Sequence, residues 1–505
     1  MQFRIDIDKS GKTGLRDQIV AGISRLIFDG VLQTDTRLPS CRSLSRTLDV
    51  SINTVLAAYA ILEEQNFIYS RARSGFFVSG CNGQVEKTAA VGKVPRYQKS
   101  LGWDRLNWRR RSEDLSTIVR PDNWYDFKYP FVCNQIDEDQ FPVAQWRECS
   151  RLAMNRRDLK VWSADNHYSD SLELIEQICG RILPRRGVFE TKNSVLVTLG
   201  SQNGLYITSQ LLGGRNRAAT MEDPGYPDAR KILHASFGEV RFQPVDDEGM
   251  IVDERLRGST LVFATPNRQF PTTVTMTEQR RRQLIEAAVE YDFFIVEDDY
   301  ECDVDYRHFT PFPLRCSDAK GRVIYLGSLS KGLSPGLRLG YLAAETEFIE
   351  AARDLRGTIL RHPPIIPQLT ASAFLRFGYY DSQLRRLHRD YVERWTLADA
   401  TIRKNLPEFE ITSEFGGTNF VLRDRCRELT ASRIAGEAQS HGVIVEEIAP
   451  CYSDYEVGKF YFRLGMSSIA SESIQPGVEA LANSVRVLRR DLNRKTRRLE
   501  RPPSR

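Results

Sequence analysis

A chain of 505 residues is too long for one ordinary hydrophobic core, so two or more domains are expected. Its 41% hydrophobic and 27% charged content is that of a soluble globular protein, and a net charge of +5 alone says little about partners. No run approaches the roughly 20 apolar residues that span a bilayer, and Met1 to Asp6 lack the apolar stretch of a secretory signal. The expected location is the cytoplasm. The nine cysteines are scattered without a C-x-x-C pair, which argues against a metal centre and against a disulfide framework.

Residues 1–80 read as a compact domain of helices and a hairpin. Leu15–Phe28 carries Ile19, Ile23, Leu26 and Ile27 on one helical face. Ser40 is placed to cap a second helix, whose Leu44 and Leu48 continue the inward stripe. The turn Asp49-Val50-Ser51 leads into a third helix, Ile52–Glu64, which Ser51 can cap. Two short helices joined in this way suit a helix-turn-helix, whose second helix enters the major groove of double-stranded DNA by its start. Ser51, Asn53 and Thr54 occupy that start and offer short hydrogen-bonding groups to phosphates or base edges. Phe67–Ser70 and Phe76–Ser79 read as strands around a tip holding Arg71 and Arg73, a wing for gripping the DNA backbone. A small helical domain that binds protein shares this spacing.

Residues 81–125 change character. Gly83, Gly92, Pro95, Gly102 and Pro121 punctuate a stretch with Arg109-Arg110-Arg111, which reads as a linker without a regular fold. Residues 126–485 alternate apolar strands with helices. Candidate strands are Ser194–Leu199, Leu261–Ala264, Phe293–Glu297 and Val323–Gly327, with helices such as Gln202–Leu212 and Glu278–Tyr291 between them. This alternation predicts a mainly parallel α/β sheet covered on both faces. Residues 486–505 form a basic tail, with nine Arg and Lys against Asp491 and Glu500, read as a solvated, partly disordered end.

The run Gly327-Ser328-Leu329-Ser330-Lys331-Gly332, with Arg338 seven residues on, sets a nucleophilic amine beside hydroxyls, glycines and an arginine. That is the pattern of a site for pyridoxal 5'-phosphate (PLP), where a lysine forms a Schiff base and its neighbours hold the phosphate. PLP also needs an acid at its pyridine nitrogen, a donor near its phenolate oxygen, a flat group against its ring and a phosphate cradle. Asp298, in Glu297-Asp298-Asp299-Tyr300, is the acid candidate, because open α/β sheets place ligands at strand ends. Tyr300 is the donor candidate, and a solvated acidic loop suits Glu297 and Asp299. Gly200-Ser201-Gln202, where a strand turns into a helix, is the cradle candidate. Ser328 and Arg338 add side-chain donors to it, and Tyr226 is placed to lie against the ring.

With its L-P-S-x-R-x-L run, V-S-x-N-T-V turn and G-x-F-V wing, the stretch 15–79 resembles the winged helix-turn-helix of the GntR family. The resemblance implies DNA contacts at Arg42, Ser51, Asn53 and Thr54 and at the wing from Arg71 through Arg73 to Gly75. The chain departs from the family at Ile52, where arginine is usual, and in Gln33-Thr34-Asp35-Thr36, which lacks the usual glycine. Through S-x-S-K with its downstream arginine, and through E-D-D-Y, residues 126–485 resemble the fold-type I aminotransferases, an α/β fold with a smaller α+β subdomain. That implies Lys331 as the Schiff-base lysine, Asp298 at the pyridine nitrogen, Tyr300 at the phenolate oxygen and Tyr226 against the ring. Ser201, Gln202, Ser328 and Arg338 fall around the phosphate. In Phe460-Tyr461-Phe462-Arg463-Leu464-Gly465-Met466 it implies Arg463 as the grip on a substrate or effector carboxylate.

The two domains together identify the chain as a member of the MocR-type regulators, which join a GntR-like reader to an aminotransferase-like body. Thr265-Pro266, Gln269-Phe270-Pro271 and Arg361-His362-Pro363-Pro364 match as well. The resemblance implies a head-to-tail homodimer on a DNA operator, sensing an amine or amino acid that replaces Lys331 in an external aldimine. The alternative is an active PLP-dependent aminotransferase with an accessory DNA-binding domain. Phe270 separates the two, because it stands where aminotransferases carry the asparagine of N-P-T-G, and Thr273 stands in place of the glycine. Loss of a donor to a buried oxyanion costs about 1–3 kcal/mol, which argues against efficient turnover and leaves weak or half-transamination open. Asp165 to Ser171, Glu301-Cys302-Asp303-Val304 and Thr418-Asn419 also depart from the family, around the effector pocket.

Overall fold

The computed structural model describes residues 5, 7–9, 13–72, 74–79, 117–156, 159–165, 169–307 and 310–499, with side chains to 494. Arg73, the greater part of the expected linker and Asn166-His167-Tyr168 lie outside the described residues. The chain divides into two compact units, residues 1–106 and 107–505.

In the first unit the three helices fall where periodicity and capping place them: Leu15–Phe28, Cys41–Leu48 and Ile52–Glu64. Ser40 Oγ accepts from Ser43 N at 3.2 Å and Ser51 Oγ from Thr54 N at 3.0 Å, so each serine satisfies an amide left free at its helix start. Asp49, between the helices, adopts a left-handed φ of 50°, which a short polar side chain tolerates. Ile19, Ile23, Leu44, Val55, Tyr59 and Leu62 form the core that these faces share. The wing pairs Ile68–Arg71 with Gly75–Val78, one residue displaced at each strand from the sequence expectation. Gly75, at φ 102°, turns tightly enough for Arg71 and Gly75 to pair opposite one another.

The second unit is built on an eight-stranded sheet. Its strands lie side by side in the order Val195–Thr198, Gly340–Ala343, Val323–Ser328, Phe294–Asp298, Ser259–Ala264, Gly214–Asp223, Phe237–Asp246 and Gly249–Met250. Five central strands, Val323–Ser328 to Phe237–Asp246, run parallel, and Gly340–Ala343 and Gly249–Met250 run antiparallel to their neighbours. Every residue of Val195–Thr198, Val323–Ser328 and Gly340–Ala343 is buried, because helices cover both faces. The four expected strands and two expected helices are present within two residues of their predicted ends.

A smaller α+β subdomain follows. Its four-stranded antiparallel sheet, in the order Phe409–Ile411, Asn419–Asp424, Tyr461–Gly465 and Glu446–Glu447, shares a core with the long helices Tyr379–Asn405 and Ser471–Leu499. The expected unfolded basic end is corrected here: residues 486–499 continue the helix that starts at Ser471. Val485 and Leu488 are buried, and Arg489 pairs with Asp424 and Glu428, which uses part of the charge that looked like a free tail. Residues 117–126 belong to the second unit: Ile118 packs against the cluster of Phe270, Val421, Ile448 and Cys451, and Thr117 Oγ1 donates to Asp228 at 3.3 Å.

Candidate functional site

A cavity of about 230 Å³ opens at the C-terminal ends of the parallel strands, the position where this sheet type binds ligands. Asp298 and Ser328 are the last residues of their strands, and Thr265 follows Ala264 at the end of a third. All three border the cavity, together with Lys331. Chain topology therefore gathers residues that are far apart in sequence.

The Lys331 ammonium donates to Asn134 Oδ1 and lies 5.6 Å from the centre of the Tyr300 ring. Burial pushes its pKa down to about 8, against the opposing charge of Glu301. An appreciable neutral fraction is therefore present near neutral pH, and the neutral amine is the nucleophilic form. Asp298 is buried, and its Oδ1 has no hydrogen-bond partner among the described residues. Burial, reinforced by the charge of Asp299, pushes its carboxyl up to about 7. A buried carboxylate with an unpartnered oxygen, on a residue that borders the cavity, is incomplete as it stands, and a protonated ring nitrogen is a fitting donor.

The anion cradle lies opposite. Gly200, at φ 79°, caps the helix Ser201–Leu212 without a side-chain bond, which leaves its first amides directed at the cavity. Arg338 Nη2 donates to Leu199 O at 3.0 Å, and a Cβ on Gly200 would lie 3.0 Å from that same nitrogen. Glycine is thus required both by the backbone angle and by the closeness of the guanidinium. Ser328 Oγ accepts from Ser330 N at 3.3 Å, and Ser201 and Gln202 complete the cradle. Tyr226 also borders the cavity, with its hydroxyl donating to Asp228 Oδ2 at 3.1 Å and its ring edge-on to Phe270 at 5.2 Å. The residues present therefore fit PLP: an amine, an orphaned acid, a flat ring and a cradle for its phosphate.

Two readings need correction or sharpening. Glu297 and Asp299 are not a solvated acidic loop. Glu297 is fully buried and accepts from Leu314 N at 2.8 Å and Arg315 N at 3.1 Å. Asp299 is buried against Arg186 at 2.9 Å, Asn267 at 2.9 Å and the Tyr325 hydroxyl at 2.8 Å. Both acids buttress the strand end that carries Asp298. Arg463 is 3% exposed and does not border the cavity. Its guanidinium stacks 4.9 Å from the centre of Phe270, and its Nε donates to Glu446 Oε2 at 2.7 Å.

Sequence reasoning missed several neighbours. Asn134, which holds the lysine, Gln135 and Arg120 all border the cavity, yet no local pattern marks them. Glu222 lies buried behind it and accepts from Thr265 and Gln269, which fixes the loop that carries Phe270. Thr273, in the glycine place of that loop, keeps a φ of 69°, and its hydroxyl accepts from Glu414 N at 2.8 Å.

In the first unit, Arg42, Ser51 and Asn53 are exposed and Thr54 is half-buried, around the start of the helix Ile52–Glu64. The Ser51 hydroxyl is occupied by its cap, and lies 2.8 Å from Thr54 Oγ1. Arg71 donates to the Tyr69 hydroxyl at 2.6 Å and stacks 4.8 Å from Phe77, which holds the wing cation in place.

A winged helix-turn-helix in one chain with an aminotransferase-type body defines a class of transcription regulator. Residues 15–78 match the bacterial regulatory proteins of the gntR family, and residues 146–481 match the aminotransferases of class I and II. The HTH-type transcriptional regulator TauR of Rhodobacter capsulatus is 35% identical over 476 residues, 94% of this chain and 97% of that protein. The probable rhizopine catabolism regulatory protein MocR of Rhizobium meliloti is 26% identical over 485 residues, 95% of each. Among solved structures, a Pyrococcus horikoshii kynurenine aminotransferase has the same body fold, with a TM-score of 0.65 over 73% of this chain and 95% of that one, at 22% identity. The chain belongs to the MocR-type regulators of the gntR family, DNA-binding proteins with an aminotransferase class I and II domain.

Proposed function

We propose that this regulator holds PLP at Lys331 and reports to DNA the binding of an amine or amino acid effector. The observation that carries the reading is the unpartnered Asp298 Oδ1 in one cavity with the Lys331 amine and the free helix start at Gly200. When bound, PLP supplies an aldehyde that exchanges one amine for another. Lys331 is the resident amine and Asp298 the ring-nitrogen partner. Tyr300 would donate toward the phenolate oxygen, Tyr226 would stand against the ring, and Gly200, Ser201, Gln202, Ser328 and Arg338 would hold the phosphate. Phe270 borders the cavity at the place of the usual donor asparagine, which favours exchange over turnover. Arg463 stays available for an effector carboxylate only where Glu446 yields it. The resemblance supports a head-to-tail homodimer whose two readers take two half-sites.

The test is a gel shift of DNA flanking the gene by the full chain, with and without PLP and a panel of amines and amino acids. An amine-dependent change in retardation, present only with PLP, supports the reading. Retardation that is indifferent to PLP and amines, or rapid multiple turnover of an amino acid with an α-keto acid, overturns it.

The DNA contacts separate by their local roles. Ser51→Ala removes a cap worth about 1 kcal/mol, so it is expected to lower both thermal stability and operator affinity. Asn53→Ala, on an exposed position of the same turn, is expected to weaken operator binding by about 1–3 kcal/mol with an unchanged melting temperature. Paired melting curves and gel shifts check this, and equal DNA binding by Asn53→Ala excludes a base-edge role.

A further inference from the structure

We infer that Arg120 is the receptor for an acidic group on the effector, so the amine sensed at this site carries an anion. This deepens the proposed function and rests on the reading of the cavity as a PLP and amine site.

Among the described residues, two arginines border the cavity, Arg120 and Arg338. Arg338 is committed to the anion cradle, beside Gly200 and bonded to Leu199 O. Arg463, the sequence-expected grip, sits behind the Phe270 ring, with its charge matched by buried Glu446. Arg120 differs from both. Its Nη1 is shut off from solvent and has no hydrogen-bond partner among the described residues. A guanidinium with a buried, unmatched donor is costly, and an acid bound in the cavity that Arg120 borders would give that guanidinium a charge-assisted partner. The segment that carries Arg120 is anchored to the cavity's own wall. Ile118 packs against the buried cluster that contains Phe270, and Thr117 donates to Asp228, the residue that accepts from Tyr226.

The placement gives the effector two recognition ends: an amine that takes the place of Lys331 and an anionic group held at Arg120. A monoamine without an acid satisfies only the first. Arg120 also lies on the stretch of chain that leads, in sequence, toward the DNA-reading unit, so effector charge is read by that stretch rather than by the sheet.

The test uses the full chain loaded with PLP, titrated with ω-amino acids of three to five carbons and with n-alkylamines of the same lengths. The change in PLP absorbance is followed. In the wild type at least one amino acid should reach its midpoint about 10- to 100-fold below its alkylamine, the value of one charged hydrogen bond. In Arg120→Ala and Arg120→Gln the ratio should fall to near one, while alkylamine midpoints and PLP uptake stay as in the wild type. Arg463→Gln should keep the wild-type ratio. A ratio that survives Arg120→Ala, or that collapses in Arg463→Gln alone, overturns the proposal. Loss of PLP uptake in Arg120→Ala also overturns it, by moving Arg120 to the cofactor phosphate. Failure of the wild type itself to take up PLP would instead remove the parent reading of the cavity.

Discussion

Lys331→Ala is expected to abolish the PLP absorbance band and every response to amines while leaving operator binding intact. The separation follows from where the residue lies. Lys331 is in the second unit, whereas the reader has its own core of Ile19, Ile23, Val55, Tyr59 and Leu62 within the first. Removing one amine from the second unit leaves every residue of that core in place. The expected loss is complete because, among the described residues that line the cavity, Lys331 carries the only amine able to form the proposed covalent link, and burial has already pushed its pKa down to about 8. Lys331→Arg is the matching control: it keeps a positive charge beside Asn134 and Tyr300 but offers no nucleophile near neutral pH. Absorbance spectra and gel shifts on the two variants, with and without effector, read the result. An effector-dependent gel shift that persists in Lys331→Ala would show that the covalent latch is not the signal.

How much of this was legible in the sequence depended on the range of the interactions. Helix starts were readable because a cap is local: Ser40 and Ser51 bond three residues on. The buried strands were readable because double coverage demands an unbroken apolar run, as in Val323–Ser328. Gly214–Asp223 escaped because it opens on Arg215, Asn216 and Arg217, exposed before the strand enters the core. Lys331, Asp298 and the Gly200 turn were legible because each chemistry is written into a short motif. The surroundings of those residues were not. Asp299 finds Arg186, and Lys331 finds Asn134, across more than a hundred residues of sequence. No spacing rule announces such pairs, so Glu297 and Asp299 looked like a wet loop when both are buried struts. The basic end misled for the opposite reason. Its charges masked the helical stripe of Ile474, Val478, Leu481 and Val485 that leads into it.

Glu446→Gln is expected to destabilise the second unit by about 3–5 kcal/mol, the cost of leaving a buried charge without its counter-ion. Glu446 is fully buried and Arg463 is 3% exposed, so water cannot take over the lost partner. The substitution keeps the side-chain volume, which assigns the loss to charge rather than to a cavity. Urea unfolding checks it as a fall in midpoint at unchanged slope. The double variant Glu446→Gln with Arg463→Met should recover most of the loss, since removing both charges removes the unpaired one. The single variant Glu446→Gln also decides what Arg463 is for. If Glu446 holds Arg463 in reserve for an effector carboxylate, freeing it should tighten amino acid binding relative to alkylamines. If the acid group goes to Arg120, the chain loses stability and the preference for amino acids stays where it was. The second outcome follows from the geometry, because the Phe270 ring stands against the Arg463 guanidinium and only Phe270 borders the cavity.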